Sequence, residues 1–251
     1  INMNQTKKPD IYIGTSGFRY IEWKEFVYPA EVKKIDWLNY YAKHFNTTEV
    51  NSSFYHLPQK ATVEKWVDKV SNGFKFCPKI TRFITHIKKL RDCKEPVAHY
   101  FGIFEPMKKM MVPVLIQLPA SLLFHEDVTR QFFDVLKYHD EYDFAIEPRH
   151  ASWMKEEALA LITEYNIALV IAQSGVNFPY KELITTKDVY IRFHGPKQLY
   201  ASSYSAAMMK EYAGKMAAWA NDKHRIWAFF NNTANGFALE NARLLKKLLH
   251  V

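Results

Sequence analysis

Short apolar runs rich in β-branched and aromatic residues alternate along the chain with stretches whose apolar residues recur at helical spacing. Each run has the length of a buried strand, and the stretches between them have the length of crossover helices. The runs predict eight strands, at residues 11–14, 47–51, 74–79, 112–118, 142–148, 167–172, 189–195 and 226–231. This alternation is typical of βα units that build a parallel sheet.

Amphipathic helices are predicted between and after these strands. Seven segments have apolar residues on one helical face, at residues 35–45, 62–70, 96–110, 127–139, 156–165, 205–220 and 236–249. The connection after the sixth strand, QSGVNFPYKELITTKD, has weaker helical character. We expect a degenerate helix in that connection.

The number and order of these elements predict the architecture. Eight strands with crossover helices in a chain of 251 residues match the size of a single (β/α)8 barrel of the TIM type. No internal repeat, low-complexity segment or Pro/Gly-rich linker divides the chain, so we expect one α/β domain over residues 1–251, with a flexible N-terminal segment over residues 1–10. An open doubly wound sheet is the alternative, because strand patterns do not encode closure.

Polar and ionisable residues follow the predicted strands at their carboxyl ends, where barrels of this type carry their active sites. Buried polar groups without partners cost about 1 to 3 kcal/mol each, so these residues must pair with one another or with a ligand. A structural network is the alternative, but a polar residue at every strand end favours a ligand site. The residues concerned are Ser16, Glu49, Asn51, Lys79, Gln117, Glu147, Arg149, His150, Gln173, Arg192, His194, Asn231 and Asn232.

Side chains alternate between the two faces of a strand, which predicts the direction of these groups. Glu147 and Arg149 share one face of the fifth strand, opposite Ile146. Arg192 and His194 likewise share one face of the seventh strand. We therefore expect the functional groups to converge inside the sheet and the large apolar residues to face the helices.

The predicted site contains more cations than acids. Lys79, Arg149 and Arg192 contribute three positive charges, against Glu49 and Glu147. The arginine fork suits carboxylate or phosphate, and the GTSG turn and the NNTANG loop offer backbone amides to an anion. Among the aromatic residues of the same loops, Tyr55 and Trp153 are candidates to stack on a sugar or a base. We expect a small anionic or hydroxyl-rich ligand.

The composition restricts the partners and the location. The net charge is +8 without a block of five like charges, so nucleic acid is an alternative partner. No apolar run approaches the length of a membrane span, and no membrane association is expected. The two cysteines, Cys77 and Cys93, lack CxxC spacing and predict no disulfide, which indicates a reducing, cytoplasmic location.

The sequence requires no cofactor. Glu49, Glu147, His150 and His194 offer oxygen and nitrogen ligands, but the chain has no HxH or HExxH motif and no aspartate cluster, so a divalent metal is not favoured. Lys79 would be suited to Schiff-base formation if it were desolvated. The acids at the same strand ends instead favour an ion-paired or anion-binding lysine.

These strand-end motifs together resemble the YecE-like family, domain of unknown function 72. The resemblance extends from residue 13 to residue 245 in the expected order and implies a TIM-type barrel without an established activity. Phe18, Pro148 and Gln173 replace the tryptophan, phenylalanine and aspartate that are common in the family, and Gln173 thereby removes an acid from the site. The motifs are IGTSGF with Tyr20 and Trp23, HFNTTEVNSSFY, FKFCPKITRFITH, VLIQLP, AIEPRHASW, YIRFHGP with LYASSYS, and FFNNTANGFALENARLL.

The leading hypothesis is an enzyme, either a hydrolase, an isomerase or a lyase, that acts on a small anionic, sugar-like or phosphorylated substrate. Glu147 or Glu49 would be the general base and His194 or His150 the proton donor, while the three cations hold negative charge. A nucleic-acid-binding or processing protein and a non-catalytic small-ligand sensor are the alternatives.

Overall fold

The computed structural model describes residues 10–24, 27–175 and 178–251. All eight predicted strands are present in this part of the chain, and the sixth is divided at Val170 into two short segments. The strands are β1 (Ile11–Thr15), β2 (Thr47–Val50), β3 (Lys75–Pro78), β4 (Val114–Gln117), β5 (Phe144–Glu147), β6 (Ala168–Leu169), β7 (Ile171–Gln173), β8 (Asp188–Phe193) and β9 (Arg225–Phe230).

The seven predicted helices are also present, with ends shifted by a few residues. They are α1 (Trp37–Ala42), α3 (Lys60–Val67), α4 (Lys94–Phe104), α5 (Glu126–Lys137), α6 (Glu156–Glu164), α7 (Ala206–Asn221) and α8 (Phe237–Leu249). The one-turn helix α2 (Ser52–Tyr55) and a π-helical turn at Phe83–Ile87 were not predicted. In the described residues, no helix is both long and apolar enough to cross a membrane.

The degenerate helix predicted after the sixth strand is wrong for residues 178–187, which form neither helix nor strand. This segment instead supports the edge of β6. The Thr185 hydroxyl accepts the N–H of Leu169 at 2.9 Å and donates to the carbonyl of Ile167 at 2.6 Å. The segment therefore supplies the hydrogen bonds that a neighbouring strand would make. The N-terminal segment predicted to be flexible lies outside the described residues, apart from Asp10.

The strands pair in parallel throughout and confirm the α/β class. The pairing forms three sheets, with the orders β1-β9-β8-β7, β2-β3 and β4-β5-β6. Within these sheets Glu49 is level with Cys77, and Gln117 is level with Glu147. The carboxyl ends of neighbouring strands, and the polar residues they carry, therefore lie side by side.

Side chains bridge the gap between β1 and β2, which lack backbone pairing. The Asn46 amide accepts the N–H of Ile13 and donates to the carbonyl of Ile11, both at 3.2 Å. The backbones approach so closely that a Cβ atom on Gly14 would lie 2.1 Å from the carbonyl oxygen of Thr47. Only glycine permits this approach. A similar gap between β3 and β4 is crossed by two isolated parallel bridges, Phe76 with Met111 and Lys79 with Leu115.

The apolar residues divide into two clusters on opposite faces of the strands. Ile146 and Ile191 belong to the large cluster that includes the helix residues. Ala145 and Tyr190, their neighbours in sequence, belong to a small cluster built from strand residues. The alternation predicted for β5 and β8 is thereby confirmed, and the small cluster lies on the face that carries Glu147 and Arg192.

Candidate active site at the strand ends

A group of charged and amide side chains lies at the carboxyl ends of the strands, and most of the predicted site residues belong to it. We call this group the strand-end site. Its members are connected by the hydrogen bonds, ion pairs and strand register given below, and all eight were predicted from the sequence. They are Glu49, Lys79, Gln117, Glu147, Arg149, Arg192, His194 and Asn231.

Arg192 is the centre of the strand-end site and is only 1% exposed. Its guanidinium binds Glu49 through two hydrogen bonds, from Nε at 2.8 Å and from Nη2 at 2.9 Å. Its Nη1 donates to Glu147 Oε2 at 2.6 Å. Planar guanidinium geometry permits this fork-like recognition of carboxylates. Because the three residues belong to β8, β2 and β5, one arginine connects strands from all three sheets.

Glu147 is surrounded by positive charge and hydrogen-bond donors. Its second oxygen, Oε1, accepts from His194 Nε2 at 2.7 Å and pairs with Arg149 Nη2 at 2.9 Å. Burial raises the pKa of Glu147, but Arg149, Arg192 and His194 outweigh burial and hold the pKa well below its usual value. The carboxylate is therefore ionised at neutral pH and is a weak base.

His194 is fully buried between Glu147 and Asn231. The Asn231 amide nitrogen lies 3.1 Å from Nδ1, which makes Nδ1 the acceptor and leaves the ring proton on Nε2, facing Glu147. Burial lowers the pKa of His194 to about 4, although Glu147 opposes the shift. The imidazole is therefore neutral at pH 7, with both nitrogens engaged by the protein.

Lys79 has an unusual environment for a buried lysine. Its Nζ donates to the Gln117 side-chain oxygen at 2.7 Å and lies 3.8 Å from the centroid of the Phe54 ring. Among the described residues no carboxylate lies within ion-pair distance of Nζ, because the arginines engage the acids that were expected to pair with it. Burial lowers the pKa of Lys79 to about 7, and Arg192 contributes to the lowering. A large fraction of this amine is neutral at pH 7.

Arg149 retains one unused donor. Its side chain is 6% exposed, and its guanidinium carbon lies 3.5 Å from the centroid of the Phe178 ring. Its Nε has no hydrogen-bond partner among the described residues. Phe178 also contacts His194 edge to face, with the ring centroids 5.3 Å apart. Phe178 was not predicted as a site residue, because it lies in the irregular segment after β7.

A pocket of about 280 Å³ opens beside Glu49 and Asn51. Asn51 donates to the carbonyl of Ser16 at 3.1 Å, and the Ser16 hydroxyl lies 3.4 Å from Arg192 Nη2. Tyr55, at the rim, is 64% exposed. A second pocket, of about 650 Å³, shares Tyr20 with the first. These volumes suit a small molecule, although the described lining of neither pocket includes Lys79 or Arg149. Another cavity, of about 350 Å³, lies at the opposite, amino ends of β5 and β6.

Three predicted site residues make their hydrogen bonds outside the strand-end site. The chain turns into a 3₁₀ helix directly after β5, and His150 caps that helix by accepting the N–H of Ser152 at 3.1 Å. The same turn buries Trp153 completely, and its indole N–H donates to a backbone carbonyl. Asn232 donates to the Asn241 side chain at 2.9 Å. These three residues follow strand ends in the sequence, but their side chains do not join the strand-end site.

The described residues contain no group of three or more His, Cys, Asp and Glu side chains arranged to hold a metal ion. The carboxylate oxygens of the strand-end site already accept hydrogen bonds from other side chains. Both oxygens of Glu49 accept from Arg192, and Tyr190 donates to one of them at 2.8 Å. A metal ion at this position would have to displace arginine, a permanent cation.

Comparison with known proteins relates these features to a family. The model of the family described as "Protein of unknown function DUF72" matches residues 12–251. The UPF0759 protein YecE of Escherichia coli K12 is 30% identical over 168 residues, which span 66% of this chain but only 57% of YecE. The UPF0759 protein YunF of Bacillus subtilis 168 is 22% identical, over 96% of this chain and 95% of YunF.

Solved structures have the same fold. A DUF72 family protein from Thermotoga maritima MSB8 is similar to this chain with a TM-score of 0.84 and 28% identity, over 96% of this chain and 99% of that one. A DUF72 family protein from Enterococcus faecalis V583 is similar with a TM-score of 0.82 and 21% identity, over 96% of both chains.

Proposed function

Because the chain belongs to the DUF72 family of proteins of unknown function, we propose its function from the chemistry of the strand-end site: an enzyme that acts on a small anionic, sugar-like or phosphorylated substrate. The observation that carries this proposal is a cluster of buried basic side chains whose neighbouring carboxylates are already occupied. Lys79, Arg149 and Arg192 face two carboxylates, Glu49 and Glu147, whose oxygens are already occupied.

The unused donors indicate where an anion would bind. Arg149 Nε has no partner in the part of the chain that the structure describes, and Lys79 Nζ makes its hydrogen bond to the neutral amide of Gln117. Leaving a donor of a charged group unsatisfied in a buried position is costly. A carboxylate or phosphate that accepted from both groups would satisfy the donor and balance the charge.

We also propose that the three sheets are parts of one (β/α)8 barrel. Each gap between sheets falls between strands that are consecutive in sequence: β1 and β2, β3 and β4, and β6 and β7. Side chains or isolated bridges span the first two gaps, and the third is an interruption within one extended segment. The ion pairs of Arg192 with Glu49 and Glu147 support closure, since they require β2, β5 and β8 to face a common interior.

The geometry favours different roles from those expected from the sequence. Lys79, with a pKa of about 7, is the group best matched to proton transfer at neutral pH. Glu49 and Glu147, expected as bases, are held by arginine, and we assign them to positioning Arg192 and Arg149. His194 holds Glu147 in place rather than offering its proton to a substrate.

Calorimetric titration with glycerol 3-phosphate tests the proposed binding. Replacing Arg149 with glutamine is expected to weaken binding by about 10-fold to 100-fold, since a hydrogen bond to a charged group contributes about 1.5 to 3 kcal/mol. Arg130→Gln is the control, because Arg130 pairs with Glu126 and Glu164 on the surface. Equal affinities for the wild type and Arg149→Gln, or no binding to either, would refute the proposed site.

The alternative functions predict different binding and turnover. A nucleic-acid partner is supported by the net charge of +8 and by the exposed ring of Tyr55. Its binding would weaken steeply with salt and depend little on Arg149. A non-catalytic sensor would bind the phosphorylated ligand through Arg149 without turning it over.

A further inference from the structure

We propose that Lys79 is a nucleophile that forms a Schiff base with the carbonyl group of an anionic substrate, such as a sugar phosphate in its open-chain form. This inference rests on the proposed function and names the substrate class more closely. It assigns to Lys79 a covalent step in place of the ion-pairing role that the nearby acids suggested.

The contacts of the amine support a nucleophilic role. A nucleophilic lysine needs a neutral nitrogen with an available lone pair. Lys79 Nζ donates one hydrogen to Gln117, an acceptor that carries no charge to stabilise the ammonium form. With that hydrogen directed at Gln117, the neutral amine has its lone pair free for a carbonyl carbon. A carboxylate in the position of Gln117 would instead favour the charged form.

The burial of Lys79 acts in the same direction. The side chain is 7% exposed, so water contributes little to the solvation of an ammonium ion. Arg192 and Arg149 further disfavour that charge, while Glu147 and Glu49 favour it. The ring of Phe54 favours the ammonium, but burial prevails and leaves the pKa at about 7. Burial among cations is a recognised way to activate a lysine.

The position of Arg149 determines which carbonyl compound would fit. Its unpaired Nε would bind the anionic group of the substrate, while Lys79 reacts with the carbonyl carbon. The anion would also compensate the positive charge that an iminium ion introduces. An uncharged aldehyde lacks this compensation, and we expect it to react more slowly than its phosphorylated counterpart.

The covalent step balances without a redox partner. The neutral Nζ adds to the carbonyl carbon, and proton transfer from nitrogen to oxygen gives a carbinolamine. The C–O bond then breaks as the hydroxyl takes up a proton from solvent and leaves as water, and a protonated C=N bond remains between the substrate and Lys79. The protonated imine withdraws electrons from the adjacent carbon, which facilitates proton removal or C–C cleavage there. Addition of water reverses the step and releases the product.

Reductive trapping tests this inference directly. The protein is incubated with glycolaldehyde phosphate and sodium borohydride at pH 7, and the modified lysines are located by peptide mass spectrometry. We expect Lys79 to be modified at least about 10-fold faster than Lys75, because burial lowers the pKa of Lys79 to about 7 and makes the neutral amine available. Lys75 is a matched control at the start of β3, the strand that Lys79 directly follows. The rate at Lys79 should rise with pH through an inflection near 7.

Two variants separate covalent chemistry from anion binding. Lys79→Met should abolish the enriched adduct, and Arg149→Gln should slow trapping of the phosphorylated aldehyde more than trapping of glycolaldehyde itself. Adducts distributed over exposed lysines, without enrichment at Lys79, would overturn the inference. If glycerol 3-phosphate still bound through Arg149 in that case, the proposed anion site would stand. Absence of that binding would remove the proposed function as well.

Discussion

Replacing Arg192 with methionine is expected to lower the free energy of unfolding by about 3 to 5 kcal/mol at pH 7, the loss typical of a broken buried ion pair. Arg192 is almost completely buried and binds Glu49 and Glu147 at the same time. Without it, two carboxylates would remain in the interior with too little positive charge to compensate them. The expected loss therefore comes mainly from the stranded charges and less from the contacts of the arginine itself.

Urea denaturation of the wild type, Arg192→Met and Arg130→Met measures this effect. Arg130 also pairs with two glutamates, but on the surface, so its replacement should change the stability little. Adding Glu49→Gln to Arg192→Met should recover part of the loss, since it removes one of the stranded charges. The loss should also shrink on acidification, as protonation neutralises the carboxylates. If Arg192→Met destabilised the protein no more than Arg130→Met, the strand-end network would not hold the sheets together.

Lys79→Met is expected to have the opposite effect on stability while removing function. Burial of the Lys79 amine lowers its pKa from 10.5 to about 7, so the folded protein loses stability by holding this group. Methionine has a similar length and no charge, and we expect it to stabilise the fold by about 2 to 4 kcal/mol at pH 7. The same substitution should abolish trapping of a carbonyl substrate. A residue that lowers stability is more readily explained by function than by structure.

The pH dependence of the stability difference distinguishes removal of the buried amine from a general improvement in core packing. Between pH 7 and 10.5 the unfolded state binds a proton at Lys79 that the folded state does not, so wild-type stability is lowered in full below about pH 7 and recovers towards pH 10.5. The advantage of Lys79→Met should shrink over that interval. Lys75→Met, at the start of the strand that Lys79 follows, is the control substitution. An advantage that did not vary with pH would indicate repacking and contradict the lowered pKa.

The pattern of the sequence predicted the strands and helices well, because each buried element has a long and regular apolar run. The strand VYIRFHG shows why. Its alternation of Ile191 and Phe193 with Arg192 and His194 specifies both the strand and its two faces. The segment at residues 178–187 was predicted less well, because its structure depends on hydrogen bonds from Thr185 to a distant strand. Such tertiary contacts produce no periodic pattern of apolar residues in the sequence.

The members of the site were easier to predict than their partners. The carboxyl-end rule for parallel strands brought Glu49, Glu147 and Arg192 together correctly. It did not indicate that both acids would bind arginine, which leaves Lys79 with a neutral amide. That pairing depends on side-chain reach across the interior. Trp153 was predicted to contact the ligand, but a local turn directs its side chain into the core.

Crystals soaked in tungstate, a heavy analogue of phosphate, provide the most direct test of the central claim that the strand-end site binds an anion. The anomalous signal of tungsten locates the ion without assumptions about its position. We expect it within hydrogen-bond distance of Arg149 Nε, a buried donor without a partner among the described residues, and of Lys79 Nζ, which donates to a neutral amide. Tungstate bound only to surface lysines and arginines, with the strand-end site unchanged, would contradict the claim.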